Sequence, residues 1–203
     1  MNRRRLPFAV LTAVLLLLVA GGAALIWRQL HPSAPPGPLT DAAIGGAFAL
    51  TDQDGRPVTA ASFAGKYPIY YFGYTFCPDV CPVDVANIAQ ALKLFEKSDP
   101  ARAARVQPVF VSVDPERDTP AVLKTWLAAF SPRFIGLTGS VAQVDAVKRT
   151  FKVFASRSGT GKDYLVSHSA VTYLFGPDNK PISFVESGAA PAVIAAALDQ
   201  YVR

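Results

Sequence analysis

Sulfur and imidazole are scarce in this chain. Its 203 residues include two cysteines, two histidines and one methionine, and the methionine is Met1. Two cysteines are too few for a framework of several disulfides. The C-x2-C-H run that attaches haem covalently is missing. A blue-copper centre takes two histidines, one cysteine and usually a methionine, and here the only methionine is Met1. Neither cysteine lies in or just after the N-terminal segment, which excludes a lipid-anchored cysteine. Charge is also sparse, and acid is absent from residues 1–28, where four arginines stand alone. Beyond them 16 basic residues face 15 acidic ones, so four of the five net positive charges belong to the N-terminus. A nearly neutral remainder has no electrostatic footprint for nucleic acid.

Residues 6–27 form one uncharged run of 22 residues, about 33 Å as a helix against a hydrocarbon core of ~30 Å. Arg3, Arg4 and Arg5 precede it and only Arg28 follows closely, a bias that keeps the N-terminus cytoplasmic. Trp27 stands where an interfacial aromatic would. The run predicts a single-pass anchor in the inner (cytoplasmic) membrane, with the C-terminal part periplasmic or otherwise exported. A cleaved signal peptide competes with it, since "AGGAA" at 20–24 suits a peptidase, but the run is longer than a usual signal core. Residues 29–39 include "HPSAPPGPL", proline-rich and without apolar period, and read as a spacer. His31, within it, reads as a solvated side chain. The organisation is therefore an anchor (1–28), a linker (29–39) and one domain (40–203), long enough for a single well-buried core.

Within that domain the apolar period alternates between two and 3.6. "GAFALTDQDGRPVTAASF" holds two short apolar runs around Gln53, Asp54 and Gly55, a hairpin signal. "YPIYYFGY" and "VQPVFVSVD" read as buried strands, whereas "CPVDVANIAQALKLFEK" has helical spacing at Val85, Ile88, Ala89, Leu92 and Phe95. "TPAVLKTWLAAF" opens with Thr119 as N-cap and Pro120 at the first helical position, and "SVAQVDAVKRTF" repeats the form with Ser140. "SAVTYLF", a turn at "GPDNK", "PISFVES" and a helix from about Pro191 close the chain. This order predicts a thioredoxin-like α/β fold with an added N-terminal β-hairpin, preceded by one transmembrane helix.

The two cysteines stand together in "YYFGYTFCPDVCPVD", where the first central strand passes into a helix. Pro78 suits the first position of that helix, which puts Cys77 and Cys81 on one face, four residues apart. The helix N-terminus favours anions, so both sulfurs are expected to have depressed pKa values. As a structural disulfide the pair would close a five-residue loop that the helix already holds, worth roughly 2 kcal/mol. A functional pair is the better reading, and it is either redox-active or metal-binding. Redox pairs usually leave two residues between the sulfurs, and this one leaves three. His168, the domain's one histidine, precedes the strand that opens the second half, in a loop that this fold turns towards the cysteines. Two thiolates and one imidazole suit Cu(I), and the imidazole makes Cu(II) tolerable. Structural zinc normally takes a fourth protein ligand, and no further Cys or His lies near. Copper is the metal this elimination leaves.

"GYTFCPDVCP", "VSVDPERDTP", "FIGLTG" and "DYLVSHSAVTYLFGPD", in this order, resemble the Sco/SenC family of membrane-anchored copper-binding proteins over about residues 40–203. The resemblance implies one copper ion per domain, as Cu(I) or Cu(II), held by Cys77, Cys81 and His168. It also implies delivery of copper to the dinuclear site of the copper-bearing subunit of cytochrome c oxidase, or reduction of that site's cysteines. Oxidation of Cys77 and Cys81 to a disulfide would abolish binding, so an exported, thioredoxin-like reductant is an expected partner. Asp114 and Asp118 of "DPERDT" are either outer partners of the metal or a loop ion pair with Arg117 plus a helix cap. Asp79 and Asp84 are expected to favour the helix dipole. Tyr70, Tyr71, Phe72 and Tyr74 read as strand and core. Two other classes compete with copper delivery: a thiol-disulfide oxidoreductase, and more remotely a peroxidase-like enzyme, since "FALTDQDGRPV" also resembles peroxiredoxin openings.

Overall fold

A computed structural model describes residues 8–30 (side chains at 10 and 12–22 only), 39 and 42–203. The chain divides into two compact units, Met1–Ala34 and Pro35–Arg203. In the first, helix α1 runs Phe8–Leu30, and its described leucines at 15–18 are exposed. Counted over the described residues, no helix is long and apolar enough to cross a membrane. The arginines at 3–5, the proline-rich stretch 31–38 and His31 lie outside the described residues.

The second unit is a seven-stranded sheet with helices packed on it. Strands β1 (Ala49–Asp52) and β2 (Pro57–Thr59) form the expected hairpin, turned at Gly55 with φ of 80°. β3 (Tyr67–Gly73) and β4 (Val106–Ser112) pair in parallel over their whole length. Between them lie helix α2 (Val80–Ser98) and the short α3 (Pro100–Ala103). Helix α4 (Pro120–Ala128) leads to β5 (Ile135–Thr138), which joins β4 in parallel, and α5 (Val141–Thr150) follows. β8 (Val171–Phe175) and β9 (Pro181–Glu186) add an antiparallel pair beside β3, and α6 (Pro191–Tyr201) closes the fold against α2. The order β2-β1-β5-β4-β3-β8-β9 is the βαβ plus ββα arrangement expected, with the hairpin added at the β5 edge. β5 itself is four residues long and carries too little period to be read from the sequence.

Caps behave as their chemistry dictates. The Thr119 hydroxyl accepts the Val122 N–H at 3.3 Å, and Ser140 forms a reciprocal capping box with Gln143. Every residue of β3 is buried, as in a strand covered on both faces. Tyr70 and Phe72 pack on Phe151 at the end of α5, whereas Tyr71 lies on the α2 side beside Cys81. A second, separate sheet was not foreseen. β6 (Ala155–Ser158) and β7 (Leu165–His168) pair antiparallel with each other alone among the described strands. Its sequence sign is "SGTGKD", turn residues between two short runs, with Gly159 and Gly161 both at positive φ.

Candidate metal centre

Gly73 and Ser112 end β3 and β4 in register, so the loops that follow lie side by side at the carboxyl ends of the parallel strands. Open α/β sheets bind their ligands there. The first loop carries Cys77 and the second carries "DPERDT". β7, from the separate hairpin, brings His168 to the same place. The ligand atoms of Cys77, Cys81 and His168 all lie within 4.8 Å of one another, the only such group of three among the described residues.

The helix begins later than expected. Asp79 precedes α2, whose first residue is Val80, so Pro78 lies outside it and Pro82 falls in the first turn. A proline costs nothing there, because first-turn N–H groups have no partner within the helix. Cys77 therefore stands ahead of the helix and Cys81 inside it, correcting the expectation of two sulfurs on one helical face. The Asp79 side chain makes no cap. Instead the Cys81 N–H donates to Cys77 Sγ at 3.5 Å, so a sulfur stands where a capping oxygen would.

Burial separates the two thiols. Cys77 is partly exposed and Cys81 is 0% exposed. Desolvation pushes the Cys81 thiol up to about 12, with Cys77 beside it adding to the rise. The expected depression is thus reversed at Cys81, where loss of water outweighs the helix end. His168 is half-buried, and loss of water lowers its pKa below the ordinary 6.5. Its Nδ1 lies 3.0 Å from the Ser169 carbonyl, which can only accept, so Nδ1 carries the proton. That leaves the Nε2 lone pair facing Cys81 Sγ at 3.4 Å. A neutral imidazole oriented by a backbone carbonyl, next to two sulfurs, is a donor set fitted to a soft or borderline cation. The Tyr74 ring meets the imidazole edge to face, with centroids 5.8 Å apart.

The acids serve elsewhere. Asp118 is fully buried and accepts from the Thr75 hydroxyl at 2.6 Å, the Thr75 N–H at 3.2 Å and the Ser112 hydroxyl at 2.6 Å. It ties the cysteine loop to β4 two residues before Cys77. Asp114 accepts from the Arg117 Nε–H and from the Tyr164 hydroxyl, each at 2.5 Å. Neither carboxylate belongs to the three-residue ligand group. Asp84, expected to serve the helix dipole, is buried and accepts from the Ser187 hydroxyl at 2.6 Å and the Gly188 N–H at 2.7 Å. Its work is to fasten α2 to the turn after β9. Arg117 makes with Asp114 the loop ion pair that "DPERDT" offered, but Tyr164 was not singled out by sequence, and nothing local in "DYLVSH" says that it meets Arg117.

The SCO1/SenC family matches over residues 37–203, which includes the whole sheet and all three members of the Cys2His group. The chain belongs to the SCO1/SenC family. Protein SCO1 homolog 1, mitochondrial, of Arabidopsis thaliana is 41% identical over 144 residues, 70% of this chain and 42% of the relative. The SCO1/SenC chain spans about half the length of the curated relatives it matches. Among solved structures, Arabidopsis thaliana ScoI with copper bound has a TM-score of 0.74 and 36% identity, covering 78% of this chain and 97% of that one. Bradyrhizobium japonicum ScoI with copper bound has a TM-score of 0.71 and 41% identity, covering 79% and 100%.

Proposed function

We propose that this chain binds one copper ion, as Cu(I) or Cu(II), through Cys77, Cys81 and His168, and delivers it to the copper-bearing subunit of cytochrome c oxidase. The observation that carries the reading is the convergence of those three ligand atoms within 4.8 Å. Family membership and copper-bound relatives of similar fold support the choice of metal. Copper is cargo here, so the site must both hold and release it. Thiolates supply tight binding of Cu(I), and the imidazole extends the site to Cu(II). Cys81 keeps its proton at neutral pH until the ion displaces it, so loading releases protons. Cys77, partly exposed, is the sulfur an incoming partner reaches first.

The apolar N-terminal run supports a single-pass anchor in the inner membrane, N-terminus cytoplasmic, which holds the domain near a membrane-bound oxidase. A thioredoxin-like protein is the reductant this reading requires, because both cysteines must be thiols to bind. A second reading rests on the same asymmetry of burial. A partly exposed Cys77 can attack a partner disulfide and a buried Cys81 can resolve the mixed disulfide, passing two electrons and leaving Cys77–Cys81 oxidised.

Anaerobic titration of the reduced 203-residue chain in detergent with Cu(I) and Cu(II) separates the two. One equivalent of each is expected, with a sulfur-to-Cu(II) charge-transfer band lost in Cys77→Ala and Cys81→Ala. His168→Ala is expected to weaken Cu(II) about 10–100-fold and Cu(I) much less. Weak, non-stoichiometric binding with fast thiol exchange would hand the function to the oxidoreductase reading.

A further inference from the structure

The metal site is assembled from two parts of unequal anchorage. Cys77 sits in the loop between β3 and α2 and Cys81 in α2, whereas His168 ends β7 of a hairpin that pairs with no strand of the main sheet. β6 is mostly exposed, and a cleft of about 190 Å³ separates the hairpin from α5, lined by Val141, Asp145 and Lys148 on one side and Ser156, Arg157 and Tyr164 on the other. Of the hairpin's two strands only Val166 is buried.

Side chains of "DPERDT" reach across instead. Arg117 Nη1 donates to the carbonyls of Tyr164 at 2.9 Å and Lys162 at 3.2 Å. Its Nε donates to Asp114 Oδ2, and the Tyr164 hydroxyl donates to Asp114 Oδ1. The guanidinium carbon lies 3.6 Å from the Tyr164 ring centroid and 4.5 Å from that of Phe76. Nη2 is buried with no hydrogen-bond partner, which suits a cation held among ring faces. Arg157 also lies 3.6 Å from the Tyr164 centroid, and two like charges at that distance must take opposite faces of the ring. Tyr164 is thus hydrogen-bonded at its tip, sandwiched on both faces, and four residues before His168.

We propose that Arg117, Asp114 and Tyr164 form a clamp that seats the β6–β7 hairpin and so positions His168 against Cys81. They are positioning residues, not ligands, and the inference rests on the copper reading only for its metal readout. The clamp makes the imidazole the detachable member of the site: opened, it leaves a dithiol that still holds Cu(I) and loses Cu(II), and so favours release or capture of one oxidation state.

Tyr164→Phe removes only the hydroxyl, which donates to Asp114 at 2.5 Å and lies 3.4 Å from Glu116 Oε2, and Arg117→Met removes the fork while keeping the stem. In the whole metal-free chain, both variants are expected to raise amide exchange across residues 155–168 about tenfold or more while β3 and β4 keep their protection. Cu(II) affinity is expected to fall about 10–100-fold, with loss of the nitrogen coupling in the Cu(II) resonance spectrum, and Cu(I) affinity to change little. Unchanged hairpin exchange with wild-type Cu(II) binding would overturn the clamp. So would equal loss of protection in β3 and β4, which would make these residues general stabilisers. If the unaltered chain takes up no stoichiometric copper, the copper reading fails, and the exchange measurement still decides the clamp.

Discussion

Gly73 is where one missing atom makes room for the site. A Cβ there would lie 2.8 Å from Tyr71 Cε1, 3.1 Å from Cys81 Sγ and 3.2 Å from Phe110 Cε2. All three are held in a buried core, so none can give way cheaply. Gly73→Ala is expected to cost about 1–3 kcal/mol. The thermal midpoint of the metal-free chain should fall by a few degrees per kcal/mol, and an unchanged midpoint would show that the core relaxes there. The same crowding explains why Cys81 is so dry. Its sulfur shares the space beside Gly73 with aromatic rings, and desolvation follows from that enclosure more than from any charge. At this scale spacing and scarcity single out Cys77, Cys81 and His168, which the fold brings within 4.8 Å of one another. The sequence misjudges the acidity of Cys81, because burial is not visible in a local run of residues.

Among elements, the junction of β3, β4 and the cysteine loop depends on Asp118. Burial raises its pKa above the ordinary 3.8, partly offset by hydrogen bonds from Ser112 and Thr75. A carboxyl with a raised folded pKa holds its proton in the native state after the unfolded chain has lost it. Its stabilising contribution is therefore complete below about pH 4 and declines as pH rises through the folded value. Asp118→Asn has no proton to lose, so its stability relative to the unaltered chain is expected to rise with pH across that window. Denaturant unfolding of both proteins from about pH 4 to 7 checks this, and parallel curves would remove Asp118 from the titration. The element scale is also where sequence reading was least complete. Helices α4, α5 and α6 announce their own starts through Thr119, Pro120, Ser140 and Pro191, because their first turns are local chemistry, whereas α2 starts later than Pro78 suggested. The β6–β7 hairpin and β5 do not, being four-residue strands whose identity comes from what they pair with.

For the whole molecule, the division into Met1–Ala34 and Pro35–Arg203 gives a direct test of organisation. A chain beginning at Pro35 is expected to fold, to bind one copper ion as the whole chain does, and to leave the membrane fraction for the soluble one. Failure to fold would show that the first unit supports the second. Persistence in the membrane fraction would show that residues 35–203 carry a membrane contact of their own.

The amino-acid sequence by itself determined the charge bias at the N-terminus, the alternation of strand and helix, the caps, and the identity of the Cys2His group. Each of these is written within a few residues or in plain scarcity. The tertiary structure alone decided which sulfur is exposed and which is buried, that Asp84 fastens the turn at Ser187 and Gly188, and that Arg117 meets Tyr164 across 47 positions. Desolvation and long-range contact depend on what packs against a residue from elsewhere in the chain, and only the folded core sets that.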